Sequence, residues 1–129
     1  MEIHHIGYLV KNIDKALTSF INLGFKSESK VYYDPIQKSN ITFLSNGTYL
    51  IELVEPATED AITFNLQKKI GNSPYHICYK CNDIENTFNE LREKGFSPMS
   101  EIVNAVAFEG KRICFMFKKD IGIIELVEN

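Results

Sequence analysis

No stretch of the 129-residue sequence approaches the roughly 20 consecutive apolar residues that a bilayer-spanning helix requires. The N-terminus opens directly on strand-like alternation with no leader pattern, so the expected location is cytoplasmic. Basic residues do not cluster: Lys and Arg (14) and Asp and Glu (17) are interspersed, with a net charge of −3. That excludes the basic stripe of a nucleic-acid-binding face and the polybasic patch of a membrane-surface protein. Cysteine is scarce and odd in number, Cys78, Cys81 and Cys114, which reads as reduced thiols rather than a disulfide framework. The Cys78-x-x-Cys81 spacing lacks the second pair that a four-sulfur zinc site needs, and strand residues three apart point to opposite faces. Arginine is limited to Arg92 and Arg112, leaving little for clamping carboxylates bidentately. What remains, 44% hydrophobic and 24% charged, is the composition of one soluble globular domain.

The chief positive signal is an internal repeat. Tyr75-His76-Ile77-Cys78-Tyr79 restates His4-His5-Ile6-Gly7-Tyr8 at a displacement of 71 residues. Asn12-Ile13-Asp14 then falls on Asp83-Ile84-Glu85, Phe20 on Leu91, and Gly24-Phe25 on Gly95-Phe96 at the same displacement. Ile51-Glu52-Leu53-Val54-Glu55 returns as Ile124-Glu125-Leu126-Val127-Glu128 at a displacement of 73, which places two additional residues in loops of the second copy. A repeat of this kind implies two supersecondary units, each burying what the other cannot.

Within each copy the periodicities predict βαβββ. Residues 2–10 alternate as a strand, with Ile6, Tyr8 and Val10 on one face and His5, Gly7 and Leu9 on the other. Asn12 caps a helix whose apolar stripe is Ile13, Ala16, Leu17, Phe20 and Ile21, and Gly24 ends it. Strands are expected over Lys26–Tyr33, Lys38–Leu44 and Tyr49–Val54, with Asn46-Gly47 at the heart of a hairpin turn. Residues 57–73 form a linker between modules 1–56 and 74–129, with a short helix through Ala61, Phe64, Leu66 and Ile70. The second module repeats the order: a strand over Tyr75–Cys81, a helix from Asp83, strands near 96–104 and 111–117, and a last strand over Gly122–Val127.

Strand parity then selects the chemistry. Ile51, Leu53, Ile124 and Leu126 face the helices, so Glu52 and Glu125 face away; His5 and His76 likewise point away from the helix-packing residues. Modules packed side by side bring two imidazoles and two carboxylates into the floor of one cupped surface. Imidazole and carboxylate together suit a first-row divalent metal, Zn, Ni, Co, Fe or Mn, with room left for water. His4, by the same parity, is expected to point into the helix packing.

A duplicated βαβββ module that opens on His-Ile-Gly and closes on Ile-Glu-Leu resembles the vicinal oxygen chelate superfamily, which includes glyoxalase I, methylmalonyl-CoA epimerase, extradiol dioxygenases and the fosfomycin and bleomycin resistance proteins. The resemblance covers essentially the whole chain. It implies an α+β fold of two tandem βαβββ modules in a cupped, partly open mixed sheet with helices outside, and metal positions at His5, Glu52, His76 and Glu125. It further implies one divalent metal (Ni, Co, Zn or Mn), with Glu125 as base and Glu52 as its counterpart. Such a protein moves a proton on carbon next to a carbonyl, in the manner of lactoylglutathione lyase or methylmalonyl-CoA epimerase, through a metal-stabilised enediolate or enolate. The linker run Phe64-Asn65-Leu66-Gln67-Lys68-Lys69 and the glycine turn before His76 are closer to the epimerases. Two other readings stand beside this one, a non-catalytic binder of the bleomycin-resistance type and an iron-dependent extradiol-type dioxygenase. The partner expected is a small carbonyl or thioester substrate, and a homodimer would cover exposed sheet edges.

Overall fold

The computed structural model describes residues 1–129, and the chain is α+β. The first copy runs β1 (Ile3–Leu9), α1 (Ile13–Asn22), β2 (Lys26–Ser27), β3 (Tyr32–Asp34), β4 (Ser39–Asn46) and β5 (Tyr49–Pro56). Helix α2 (Phe64–Ile70) follows, where the linker helix was expected. The second copy runs β6 (Ser73–Cys81), α3 (Ile84–Glu93), β7 (Ser97–Pro98), β8 (Val103–Asn104), a 3-10 turn at Val106–Phe108, β9 (Arg112–Lys118) and β10 (Gly122–Glu128). No helix is long and apolar enough to cross a membrane.

Two compact units emerge, Ile6–Tyr75 and His76–Asn129 together with Met1–His5, so β1 divides between them after His5. In the first unit β1 pairs parallel to β5, with Gly7 opposite Glu52, and β5 pairs antiparallel to β4, with Glu52 opposite Phe43. In the second, β6 pairs parallel to β10, with Cys78 opposite Glu125, and β10 pairs antiparallel to β9, with Glu125 opposite Phe115. The two ladders share one plan, residue for residue.

The helices form for the same reasons twice. Asn12 and Asp83 adopt extended backbone and accept from the amides of Lys15 and Asn86, each at 3.0 Å, satisfying a donor that the first helical turn leaves free. Gly24 and Gly95 stop the helices at φ +96°, a conformation that costs a residue with a Cβ but not glycine. The apolar stripe of α1 packs with Tyr8, Val10, Leu44, Ile51 and Leu53; that of α3 packs with Tyr79, Cys81, Met116, Ile124 and Leu126. Ile84 is fully buried at the head of the α3 stripe. Trimming Ile84 to Ala leaves a cavity that the surrounding strands cannot close. The expected loss is about 3 kcal/mol in urea unfolding, and a loss under about 1 kcal/mol would show that α3 is not anchored there.

The long strand expected over Lys26–Tyr33 is broken, and the break repeats. Ser27 pairs with Leu44 but Tyr32 pairs with Ile41, a register that leaves two extra residues on the outer strand. The Ser29 hydroxyl takes the Phe43 amide at 3.0 Å, and the Glu28 amide donates to the Phe43 carbonyl at 2.9 Å, replacing ladder bonds. Seventy-one residues on, Ser100 takes the Phe115 amide at 2.9 Å and the Met99 amide donates to the Phe115 carbonyl at 2.9 Å. Each copy thus carries a serine-stapled bulge against the strand facing its glutamate. The hairpin turn also differs from expectation: Asn46 pairs with Tyr49, and the loop itself is Gly47-Thr48, with Gly47 at φ +62°. In the second copy Lys118 pairs with Gly122 across three loop residues, which locates one of the two additional residues of that copy.

Candidate metal centre

Three of the four expected ligands meet within the unit that holds Met1–His5 and His76–Asn129. His5 Nε2 lies 3.1 Å from His76 Nε2, His76 Nε2 lies 3.0 Å from Glu125 Oε2, and His5 Nε2 lies 3.7 Å from the same oxygen. Metal–ligand bonds of about 2.0–2.2 Å put neighbouring donor atoms roughly 3.0–3.5 Å apart. Two of the observed separations fall in that range and the third lies just beyond it, so the three side chains are close to the spacing that one ion needs. All three are buried, His5 and Glu125 at 1% exposure and His76 at 4%.

The strands account for the convergence. His76 and Cys78 share one face of β6, and the parallel register sets Glu125 directly opposite Cys78 on that face. Glu125 is a carboxylate buried almost completely. Burial pushes its pKa up, but the two neighbouring imidazoles, His76 Nε2 at 3.0 Å and His5 Nε2 farther off at 3.7 Å, outweigh this and hold it well below the usual range, at about 2. It is therefore ionised at neutral pH. Its second oxygen, Oε1, is buried and has no hydrogen-bond partner, an arrangement that a bound cation would satisfy. The donor set, its spacing and this orphaned oxygen fit a first-row divalent metal.

Glu52 belongs to the Ile6–Tyr75 unit. It is 2% exposed on β5, opposite Gly7 and Phe43, on the face turned away from the Ile51 and Leu53 helix core. Its register environment matches that of Glu125, with Gly7 standing where the second copy has Cys78.

Several site residues were not singled out from the sequence. The Phe108 ring stacks on His5 (centroids 5.6 Å apart, interplanar 25°), and Phe115 meets His76 edge to face at 5.3 Å. Phe115 was findable, since it and Phe43 occupy the same place in the two copies; Phe108 sits in a 3-10 turn that has no counterpart in the first. His4 does not enter the helix packing as expected. It is half-buried beside His5, its Nδ1 2.8 Å from His5 Nδ1 and its ring 5.4 Å from Phe108. Burial first, then the neighbouring His5 and Lys80, lowers its pKa to about 4. The thiols are all buried, and burial pushes Cys114 up to about 12, so it is an inert core residue.

The chain is similar to several known proteins. Human mitochondrial methylmalonyl-CoA epimerase is 27% identical over 127 residues, spanning 96% of this chain and 72% of that protein. The uncharacterized protein YqjC of Bacillus subtilis (strain 168) is 28% identical over 129 residues, spanning 96% and 89%. The crystal structure of methylmalonyl-CoA epimerase from Mycobacterium tuberculosis superposes with a TM-score of 0.85 at 23% identity, covering 98% of this chain and 86% of that one. The family description "Glyoxalase/Bleomycin resistance protein/Dioxygenase superfamily" matches residues 4–115, from the first histidines through most of β9. The match takes in the whole first copy and the second as far as β9, well over half of the chain, and the protein belongs to the glyoxalase/bleomycin resistance protein/dioxygenase superfamily.

Proposed function

We propose that this protein is a divalent-metal-dependent epimerase that inverts the carbon next to the carbonyl of a small acyl-CoA thioester. The observation that carries the reading is the buried Glu125 carboxylate, held against two imidazoles. Human methylmalonyl-CoA epimerase, similar over 96% of this chain, supplies the substrate class.

Glu52 is the fourth ligand in this reading. It is buried, it lies opposite Gly7 two residues along β1 from His5, and it repeats the register position of Glu125. A divalent cation held by His5, Glu52, His76 and Glu125 would offset negative charge developing on the thioester carbonyl oxygen. The residues do the proton work. The Glu125 carboxylate takes the α-proton, the C–H electron pair moves toward the carbonyl oxygen, and the carbon flattens as an enolate. In this reading Glu52, released from the ion and carrying a proton taken up from solvent, would deliver that proton to the other face of the enolate carbon and invert the centre, and Glu125 would pass its own proton to solvent, restoring both groups. Phe108 and Phe115, packed on His5 and His76, help to keep water from the reacting carbon.

The test is epimerisation of single-epimer methylmalonyl-CoA in deuterated water, with Co, Ni, Zn or Mn supplied, followed by NMR and mass spectrometry. The inverted product is expected to carry one solvent deuteron at Cα, with no lactoyl thioester formed from methylglyoxal hemithioacetals. Tight binding of the thioester with no exchange under any of the four metals would overturn the reading in favour of a non-catalytic binder.

A further inference from the structure

We infer that His4 is a positioning residue for the site: it accepts a hydrogen bond from His5 and thereby fixes which ring nitrogen of His5 faces the metal. The inference rests on the metal-site reading above and extends it to a residue outside the ligand set. His5 places Nε2 among the donor atoms, 3.1 Å from His76 Nε2 and 3.7 Å from Glu125 Oε2, and its other nitrogen, Nδ1, lies 2.8 Å from His4 Nδ1. A neutral imidazole carries one N–H and one lone pair. If Nε2 is to present its lone pair, the hydrogen sits on Nδ1, and His4 Nδ1 lies at hydrogen-bond distance to accept it. The hydrogen of His4 is then on its own Nε2.

Ligating histidines commonly donate their second ring N–H to a fixed acceptor, which sets tautomer and ring orientation and raises ligand basicity. Here that acceptor is another imidazole, itself held in place. The His4 ring meets Phe108 edge-on at 5.4 Å, and Phe108 in turn stacks on His5, so His4, His5 and Phe108 form a mutually packed aromatic group. The second copy has Tyr75 at the place corresponding to His4, so this device serves one imidazole of the pair.

With only three histidines in the chain, ring nitrogens can be resolved by two-dimensional proton–nitrogen NMR on metal-free protein. The experiment compares wild type with His4→Phe, which keeps a ring against Phe108 but removes the acceptor, and His4→Asn, whose amide oxygen lies close to the position of Nδ1. Wild type and His4→Asn are expected to hold His5 as the Nδ1–H tautomer; His4→Phe is expected to show a tautomer mixture. Affinity for Zn and Co, measured by competition with a chelating dye, should fall about 10–100-fold in His4→Phe and within roughly threefold of wild type in His4→Asn. A wild-type His5 protonated on Nε2 would overturn the inference. So would His4→Phe with an unchanged tautomer and unchanged affinity. Should wild type bind neither metal, the site reading fails on its own, and the metal-free spectra still decide the role of His4.

Discussion

Glu125→Gln is expected to lower the rate of α-proton exchange on methylmalonyl-CoA by a factor of about 10³ or more, with folding retained. Removal of a positioned general base typically costs 10²–10⁴-fold, and the carboxamide also gives up a charged oxygen among the donor atoms. Gln keeps the size and hydrogen-bonding shape of Glu, so the buried contacts with His5 and His76 survive and cooperative thermal unfolding persists. Exchange is read by deuterium uptake at saturating thioester, and folding by circular dichroism. Activity within tenfold of wild type, in folded protein, would remove Glu125 from the role of base and shift it to Glu52.

His76→Ala is expected to weaken divalent-metal binding by more than about 100-fold. Loss of an outer hydrogen-bond partner to a ligand already costs 10–100-fold, and here a donor atom itself is removed, 3.0 Å from the Glu125 carboxylate. The variant also leaves that carboxylate with less compensation in a site where Glu125 is only 1% exposed. Titration against a chelating dye reads the effect. Cys114→Ser, in the helix-side core, serves as the control that leaves affinity unchanged. Affinity within threefold of wild type in His76→Ala would place the ion elsewhere or nowhere.

Much of this architecture was legible before any coordinates. The displacement of 71 residues paired His5 with His76 and both helices with each other, because each copy solves the same burial problem with the same stripe. Parity over the short last strands separated Glu52 from Ile51 and Leu53, and Glu125 from Ile124 and Leu126, since period-two alternation needs only a few residues to declare itself. The middle strands were not legible for a physical reason. At Ser29 and Ser100 a side-chain hydroxyl takes a ladder amide, two residues loop out, and counting by twos loses its phase. The two serines do recur at the repeat displacement, which is the signal that was there to be read.

The surroundings of the imidazoles were hidden for a different reason. Phe108 sits in a three-residue 3-10 turn with no periodicity, followed by Glu109 at φ +56° and Gly110 at φ +81°. Its stacking on His5 is a tertiary fact that local pattern does not encode. His4 was assigned by alternation to the helix side, yet its ring lies against His5 and Phe108. The face rule assigns a side, not a neighbour, and His4 lies ahead of Ile6, where the β1–β5 register begins.

The central claim is that His5, Glu52, His76 and Glu125 hold one catalytic divalent ion. Elemental analysis by mass spectrometry tests it most directly, on protein purified without chelator and after reconstitution with Ni, Co, Zn and Mn in turn. The account predicts about one divalent ion per chain, lost in Glu52→Ala as well as in His76→Ala. No bound ion under any of these conditions would contradict it and leave the four side chains as the lining of a ligand pocket.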